Sequence, residues 1–349
     1  MIDPTTLAAF EDRFGSAGRA LSRLIRPTIA APKGRTLVWG DWSAIEACVL
    51  PWLADTPGSR EVLDVIDASQ KDDSLPDLYC REAAGIAGVD LQQFWDDYRA
   101  GADGTGEQRQ TGKVAVLSLG FGGAVGALQA MAVGYGISLT EAEAKVIVDK
   151  WRANNPWARR FWDALWDAFI SAMDNPGVPY EVGRVVYMYD KDYMSGSMMC
   201  FLPDGRPLVY PTLRWKKRER EDRDGNTTTR MELTYRRGYT TRSLWYGVLA
   251  ENVTQATAGS LLRHALTILD PAPSLQYGPA DAARLLPDDA FMCGHTHDEG
   301  ILECDDDPKS IARAAEVLRR TMETQPDWAG GLPLKADITT NWYYTKDKL

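Results

Sequence analysis

Residues 36–46 read TLVWGDWSAIE, a short apolar run that ends in an acid. The segment Thr36–Gly40 has the β-branched and aromatic texture of a strand. Ser43 stands three residues before Glu46, which predicts a capping box at the start of the next helix. Asp41 is therefore expected at the end of a strand, where the backbone keeps its carboxylate accessible to ligands.

A second acidic position lies in residues 290–304, which read AFMCGHTHDEGILEC. Two apolar strands, Ala290–Cys293 and Ile301–Cys304, flank a polar tip and predict a β-hairpin that carries Asp298 and Glu299. Hard divalent ions bind carboxylate oxygens, and two such positions could share a pair of Mg²⁺ ions for phosphoryl transfer. An ordinary helix cap and ordinary turn acids remain the alternative at this point.

A cationic stripe lies on the predicted helix Gln108–Leu119. Because positions four apart share a helix face, Arg109, Lys113, Leu117 and Phe121 form one stripe, cationic at one end and apolar at the other. A nucleoside triphosphate has the same polarity. A surface helix with solvated cations is the alternative.

Soft metal ligands also occur near the hairpin tip. Cys293, His295 and His297 alternate along one strand, and Cys304 lies on its neighbour, which leaves a zinc site open as a further hypothesis. Ligands two apart on a straight strand seldom converge on one ion without a turn between them.

The rest of the chain predicts helices and one β-rich stretch. Helical periodicity and caps predict helices at Thr140–Trp151, Pro156–Phe169, Tyr246–Leu269 and Ser310–Met322. Residues 182–242 are rich in β-branched and aromatic residues, with turns expected at Pro203–Gly205 and Asp224–Asn226. The second turn would join two basic arms, one with Arg214, Lys216, Lys217, Arg218 and Arg220 and the other with Arg236 and Arg237. These cations would contact a DNA backbone or form a solvated edge.

The composition favours a globular intracellular protein. The 349 residues include five scattered cysteines without a CxxC pair, which is typical of reduced thiols. No apolar run approaches a membrane span, and the N-terminus lacks a signal-peptide pattern, so no membrane partner and a cytoplasmic location are expected. The net charge of −10 argues against nucleic-acid binding unless a local basic surface exists.

Three motifs together resemble the DNA polymerase I family (family A), in its bacteriophage-type branch. Asp41–Glu46 resembles motif A, Arg109-x3-Lys113-x7-Phe121-Gly122 resembles motif B, and residues 297–299 resemble motif C, in the family's order. Residues 251–256 resemble its template-binding palm helix. The resemblance runs from about Leu21 to the C-terminus. It implies DNA-directed DNA synthesis in the cytoplasm of a bacterial or phage-infected cell.

The resemblance implies a role for each matching residue. Asp41 and Asp298 would hold two Mg²⁺ ions, with Mn²⁺ as a substitute, and Glu299 would be a weaker third ligand. Lys113 would contact the incoming triphosphate and protonate the leaving pyrophosphate, and Arg109 would bind the terminal phosphate.

Further implied roles concern the nucleotide and the DNA. The deoxyribonucleotide would be bound by Trp42, Glu46, Leu117 and Phe121 in addition to the two cations, with Glu46 excluding the 2′-hydroxyl. Gln255, Asn252 and His297 would contact primer-template DNA.

The fold expected from the resemblance is α+β. A palm with an antiparallel sheet would comprise residues 1–60 and 246–349, mainly helical fingers residues 61–180, and a β-hairpin region residues 181–245. Only about 40 residues precede Asp41, so thumb and exonuclease are expected on a separate chain.

Some positions depart from the family's pattern. Cys48 stands where arginine is common, Leu117 where Phe or Tyr is frequent, and Glu251 where asparagine is usual. A second hypothesis is therefore a catalytically weak, polymerase-like DNA-binding subunit that a separate chain completes.

Overall fold

The computed structural model describes residues 4–221, 227–269, 285–296 and 298–345. The chain divides into two compact units. The first consists of Met1–Ser43, Leu261–Thr324 and Lys335–Leu349, and the second of Ala44–Ser260 and Gln325–Leu334. The four-segment division into palm, fingers and hairpin region stays a prediction.

Helices dominate the first half of the chain, and most strands lie in the second half. In the described ranges the α-helices are α1 (Pro4–Phe14), α2 (Ala17–Ile25), α3 (Ile45–Ala54), α4 (Pro57–Lys71), α5 (Leu78–Ala87), α6 (Leu91–Arg99), α7 (Thr105–Leu119), α8 (Val125–Gly134), α9 (Glu141–Asn154), α10 (Pro156–Asp174), α11 (Tyr246–Leu269) and α12 (Pro308–Glu323). The strands are β1 (Arg35–Trp42), β2 (Tyr180–Val182), β3 (Val185–Asp190), β4 (Ser197–Phe201), β5 (Pro207–Tyr210), β6 (Arg214–Glu221), β7 (Thr227–Arg237), β8 (Thr240–Leu244), β9 (Ala290–Thr296), β10 (Glu299–Asp305) and β11 (Ala336–Asn341).

The first unit is built on an antiparallel sheet of order β11-β1-β10-β9. Helix α12 covers one face so closely that a Cβ on Gly40 would lie 2.6 Å from Met322 Sδ. On the other face Trp39 and Tyr344 meet edge to face, with ring centroids 5.4 Å apart. Side chains alternate along a strand, so Asp41 belongs to the face of Trp39.

The second unit contains a block of helices and two antiparallel sheets, of order β2-β3-β4-β5 and β6-β7-β8. Helix α10 begins at Pro156, which is favoured at a first helical position. It buries an apolar face that includes Trp162. Trp162 is stacked on Trp151 at 6.3 Å and on Tyr246 at 6.0 Å between ring centroids. These aromatic contacts bury large apolar areas.

The predicted α+β class is confirmed, and most predicted elements are present. Thr140 forms a capping box at the start of α9, and the helix Tyr246–Leu269 is as predicted. The turn Asp224–Asn226 lies outside the described residues. No helix in the described ranges is both long and apolar enough to span a membrane.

The capping box predicted at Ser43 is wrong. Helix α3 begins at Ile45, and its N-cap is Ala44, whose backbone is left-handed with φ 54° and whose side chain makes no capping bond. Ser43 Oγ instead donates a hydrogen bond to Asp337 Oδ2 at 2.6 Å. The left-handed turn at Ala44 moves the start of the helix past the predicted cap, and the Ser43 hydroxyl faces β11.

Candidate active site: a carboxylate cluster and a cation-bearing helix

Three carboxylates converge in the first unit. Antiparallel pairing of β1 with β10 sets Asp41 directly opposite Glu299, and Asp298 comes just before β10. One oxygen from each of these residues lies within 4.8 Å of the others. Asp41 and Asp298 are half-buried, whereas Glu299 is only 1% exposed. These three residues are called the carboxylate cluster. The predicted hairpin with Asp298 and Glu299 is present, and Asp41 lies near the end of the neighbouring strand β1, as the sequence predicts.

The donor set fits a hard divalent cation. Three carboxylates this close repel one another, and a cation between them relieves the repulsion. All the donors are oxygens, which suits Mg²⁺ or Mn²⁺. Within the described ranges this is the one group of three or more acidic, histidine or cysteine side chains close enough to hold an ion.

The zinc hypothesis gains no such grouping. Cys304 is buried opposite Ala290, whereas the Cys293 and His295 side chains lie along the edge strand β9. His297, the remaining ligand of that hypothesis and also the predicted primer contact, lies outside the described residues.

A buried tyrosine holds the third carboxylate. The hydroxyl of Tyr344 donates a short hydrogen bond to Glu299 Oε2, and both residues are 1% exposed. Burial and then this hydrogen bond raise the pKa of Tyr344, so the phenol stays a neutral donor. Tyr344 was not predicted from the sequence, since a tyrosine 45 residues from Glu299 carries no local signal.

Helix α7 carries the cations of the motif B resemblance in the second unit. It is packed against α5 at Gly112, where an added Cβ would lie 2.4 Å from the carbonyl oxygen of Tyr79. Arg109, Lys113 and Leu117 lie within the helix, but Phe121 follows its end at Leu119. The helical stripe therefore stops before Phe121.

Aromatic rings and one acid surround the two cations. The Arg109 guanidinium lies 5.3 Å from the ring centroid of Tyr79 and 5.5 Å from that of Tyr98, and it forms an ion pair with Asp77. Lys113 Nζ lies 5.6 Å from the same Tyr79 ring. A cation is attracted to the face of an aromatic ring by about 0.5–2 kcal/mol, so these rings help to hold both cationic groups in place.

Asp77 has two roles that sequence reasoning did not find. Its Oδ1 accepts a hydrogen bond from the backbone N–H of Cys80 and so caps α5, while its Oδ2 binds Arg109. The cap has a local sequence signal, an acid just before an apolar helix. The partner on α7 has none, because it is 32 residues away.

Other predicted substrate residues line an apolar cavity of the second unit. The cavity has a volume of about 40 Å³ and is lined in part by Glu46, Leu117 and Phe121. Gln255 Nε2 donates a hydrogen bond to Glu46 Oε1 at 3.2 Å. This bond connects the predicted DNA contact, Gln255, to the predicted sugar-selecting residue, Glu46. Asn252 Nδ2 donates to Tyr210 Oη at 3.3 Å.

Trp42 is placed differently from the other predicted nucleotide ligands. Its side chain is buried in the first unit, where the indole N–H donates to the carbonyl of Met322 at 2.8 Å. The predicted nucleotide contact of Trp42 stays a prediction.

Comparison with known proteins adds two similarities. A DNA polymerase of Bacillus phage SP02 is 30% identical over 341 residues, which are 97% of this chain and 46% of that protein. The chain thus spans about half the length of this curated relative. The POL domain of Pol1 from M. smegmatis, solved in complex with DNA primer-template and dNTP, has a TM-score of 0.53 and 17% identity, over 92% of this chain and 42% of that one.

No protein-family profile matches the chain. The likeness to the POL domain shows the fold, and the phage polymerase extends it to sequence similarity along nearly the whole chain. The resemblance stated from three short motifs is thus confirmed as sequence similarity to a phage DNA polymerase and as a shared fold with the POL domain of Pol1.

Proposed function

We propose that this chain is the polymerising part of a DNA-directed DNA polymerase, which joins deoxyribonucleotides to a primer 3′-end by two-metal nucleotidyl transfer. The observation that carries the proposal is the carboxylate cluster of Asp41, Asp298 and Glu299, whose oxygens lie within 4.8 Å of one another. The similarity to a phage DNA polymerase supports the choice of reaction.

In this proposal Asp41 and Asp298 hold two Mg²⁺ ions, and Glu299 contributes a third carboxylate. Two bound metals would stabilise the attacking and the leaving oxygen of an in-line phosphoryl displacement. The half-buried aspartates are open to ligands, while the buried Glu299 is fixed by Tyr344. Fixed carboxylates reduce the reorganisation needed when the ions bind.

Arg109 and Lys113 are proposed to bind the triphosphate of the incoming nucleotide. A guanidinium can grip two phosphate oxygens, and an ammonium can donate a proton to the leaving pyrophosphate. Arg109 is paired with Asp77, and a bound terminal phosphate would take the place of that carboxylate. The faces of Tyr79 and Tyr98 would keep the guanidinium in position during the exchange.

Glu46, Leu117 and Phe121 are proposed to surround the sugar and base. The hydrogen bond from Gln255 fixes the Glu46 carboxylate, which supports its proposed role in excluding a 2′-hydroxyl. Gln255, which is exposed, and Asn252 would contact the minor groove of the primer-template, where acceptors common to all base pairs permit sequence-independent contacts.

The second candidate, a weak DNA-binding subunit completed by a separate thumb and exonuclease chain, has one observation in its favour. Cys48 occupies the position where the family commonly has arginine, and it is 1% exposed. Burial raises the pKa of this thiol to about 12, so Cys48 supplies no charge in place of the guanidinium.

Single-nucleotide primer extension tests the proposal. The purified chain is offered primer-templates that differ only in the first template base, with each dNTP in turn and Mg²⁺. We expect incorporation of the complementary nucleotide and none in EDTA. If the chain binds primer-template but incorporates nothing with any dNTP, the second candidate replaces the first.

A further inference from the structure

The sheet β6-β7-β8 has one solvent-exposed face that is rich in cations. Cross-strand pairs share a face, so Arg218 lies beside Arg230, Lys216 beside Glu232, and Arg236 beside Thr241. With Arg214, this set is called the basic face: Arg214, Lys216, Arg218, Arg230 and Arg236, all exposed. Four of these cations belong to the two basic arms predicted from the sequence, where a DNA-backbone contact and a solvated edge are both open, and the structure adds Arg230 to them.

Acidic neighbours do not neutralise the basic face. Among its described side chains the one acid is Glu232, which pairs with Arg218 at 3.1 Å. Glu219 alternates to the opposite face, beside Thr229. Glu219 interrupts the cations in the sequence, but the pleat of the strand places it on the face opposite to them. The basic face is therefore locally positive, although the net charge of the chain is −10.

We infer that the basic face binds the phosphodiester backbone of a nucleic acid. Cations two residues apart on a strand are spaced roughly 7 Å apart, and rows on neighbouring strands lie about 5 Å apart, so several can contact successive phosphates. Such contacts give affinity without sequence information. The choice of a nucleic acid as ligand rests on the proposed function.

The composition of the face disfavours an anionic membrane. Surfaces that bind membranes combine cations with apolar side chains that enter the lipid. The neighbours of the cations here are Thr228, Thr241 and Ser243, whereas the exposed Met231 and Trp215 alternate to the opposite face. Charge complementarity without an apolar component fits phosphodiesters in water.

The opposite face offers a matched control. Lys217, Arg237 and Arg242 are exposed and pair with Met231, Thr240 and Tyr235 on that other face. A triple variant Lys216→Gln, Arg218→Gln, Arg230→Gln and a control Lys217→Gln, Arg237→Gln, Arg242→Gln change the net charge equally. All six side chains are exposed, and circular dichroism verifies that both variants fold.

The experiment measures binding of a labelled DNA duplex and of a labelled single strand by fluorescence anisotropy, in EDTA, between roughly 50 and 200 mM salt. For the basic-face variant, each phosphate that is no longer bound should make the slope of log K against log salt shallower, by about 0.9 on the duplex or about 0.7 on the single strand. The control should change the slope by less than the value for one phosphate. Thr241→Lys, which adds a cation to the basic face, should steepen it.

Unchanged slopes in the basic-face variant, or equal changes in the control, would overturn the inference. The same variants are also tested on phosphatidylserine vesicles, and loss of vesicle binding with unchanged DNA binding would assign the face to a membrane instead. The nucleic acid whose slope changes more, duplex or single strand, is the form that the face binds. Because no turnover occurs in EDTA, a wild-type chain that incorporates no nucleotide yet shows the expected slopes contradicts the proposed function and leaves this inference standing.

Discussion

At the residue scale, the three carboxylates of the cluster are held in different ways. Glu299 is buried and accepts a hydrogen bond from Tyr344. Asp41 lies near the end of a strand, and Asp298 precedes one, and both are half-buried. A fixed buried carboxylate beside two accessible ones suits a site in which the aspartates bind the ions and the glutamate orients them.

Tyr344→Phe should weaken metal binding. The change removes the phenol donor from a buried carboxylate, and loss of such supporting hydrogen bonds typically costs roughly tenfold or more in metal affinity. The measurement is the incorporation rate as a function of Mg²⁺ concentration. The expected result is a higher half-saturating Mg²⁺ concentration with a similar maximal rate. Tyr343→Phe, whose ring packs on Trp342, is the control.

An unchanged Mg²⁺ requirement for Tyr344→Phe would show that Glu299 is positioned without the phenol. A fall in maximal rate that saturating Mg²⁺ does not restore would place Tyr344 in another role.

Asp77→Asn should lower the KM for the incoming nucleotide by a few fold. The ion pair with Arg109 is partly exposed and contributes about 1 kcal/mol or less, which the nucleotide no longer has to displace. Asparagine caps helices as well as aspartate does, so α5 stays capped. Steady-state kinetics with one nucleotide checks the change. Asp90→Asn, at the cap of α6, is the matched control.

A raised KM in Asp77→Asn would mean that Asp77 positions Arg109 for the nucleotide rather than competing with it.

Glu46→Ala should admit ribonucleotides. The substitution opens space beside the proposed sugar position and releases Gln255, so discrimination against the 2′-hydroxyl should fall by at least about tenfold. Glu46→Gln keeps the volume and should keep most of the discrimination. The measurement compares kcat/KM for matched ribo- and deoxyribonucleotides, and an unchanged ratio in Glu46→Ala assigns sugar selection to another residue.

At the element scale, the position of α7 depends on its contact with α5. Gly112 is buried where the two helices meet, and any side chain there would collide with backbone atoms of Tyr79 and Ala83. The same contact places Arg109 and Lys113 on the ring of Tyr79. The contact at Gly112 therefore determines both how the two helices pack and where the two cations lie.

Gly112→Ala should destabilise the protein by roughly 1–3 kcal/mol, the usual cost of overpacking. The nucleotide KM should rise as well, because the cations shift with α7. Gly106→Ala provides the comparison within the same helix, since an added Cβ there meets nothing within 4 Å. That variant should be neutral or more stable by up to about 1 kcal/mol. Denaturant unfolding measures the stability of both variants, and equal stabilities would contradict the close contact at Gly112.

At the scale of the whole molecule, local sequence patterns predicted helices and strands better than they predicted which residues are in contact. The helix Tyr246–Leu269 and the hairpin strands around Asp298 follow from periodicity and turn residues, as does the cap at Thr140. The pairing of Asp41 with Glu299 joins residues far apart in the chain, and the order of three motifs predicted it only through a family resemblance.

The contacts that sequence reasoning missed are all non-local or depend on backbone geometry. Tyr344 reaches Glu299 and Asp77 reaches Arg109 through tertiary packing, which no spacing rule encodes. The left-handed turn at Ala44 overrode the capping preference of Ser43, because pairing with β11 gave its hydroxyl another partner. Tertiary contacts of this kind routinely override local propensity.

The central claim is that the carboxylate cluster carries the chemistry. Its most direct test is the single-turnover rate of correct nucleotide incorporation by Asp41→Asn and Asp298→Asn at saturating Mg²⁺ and primer-template. Each substitution replaces a charged metal ligand by a neutral amide of nearly the same volume, so each should slow incorporation by at least about a hundredfold, since each metal contributes several kcal/mol. Asp305→Asn, at the far end of the β1–β10 ladder where the carboxylate pairs with Arg35, should slow it less than about threefold. Retention of more than about a tenth of the wild-type rate by either cluster variant would contradict the account.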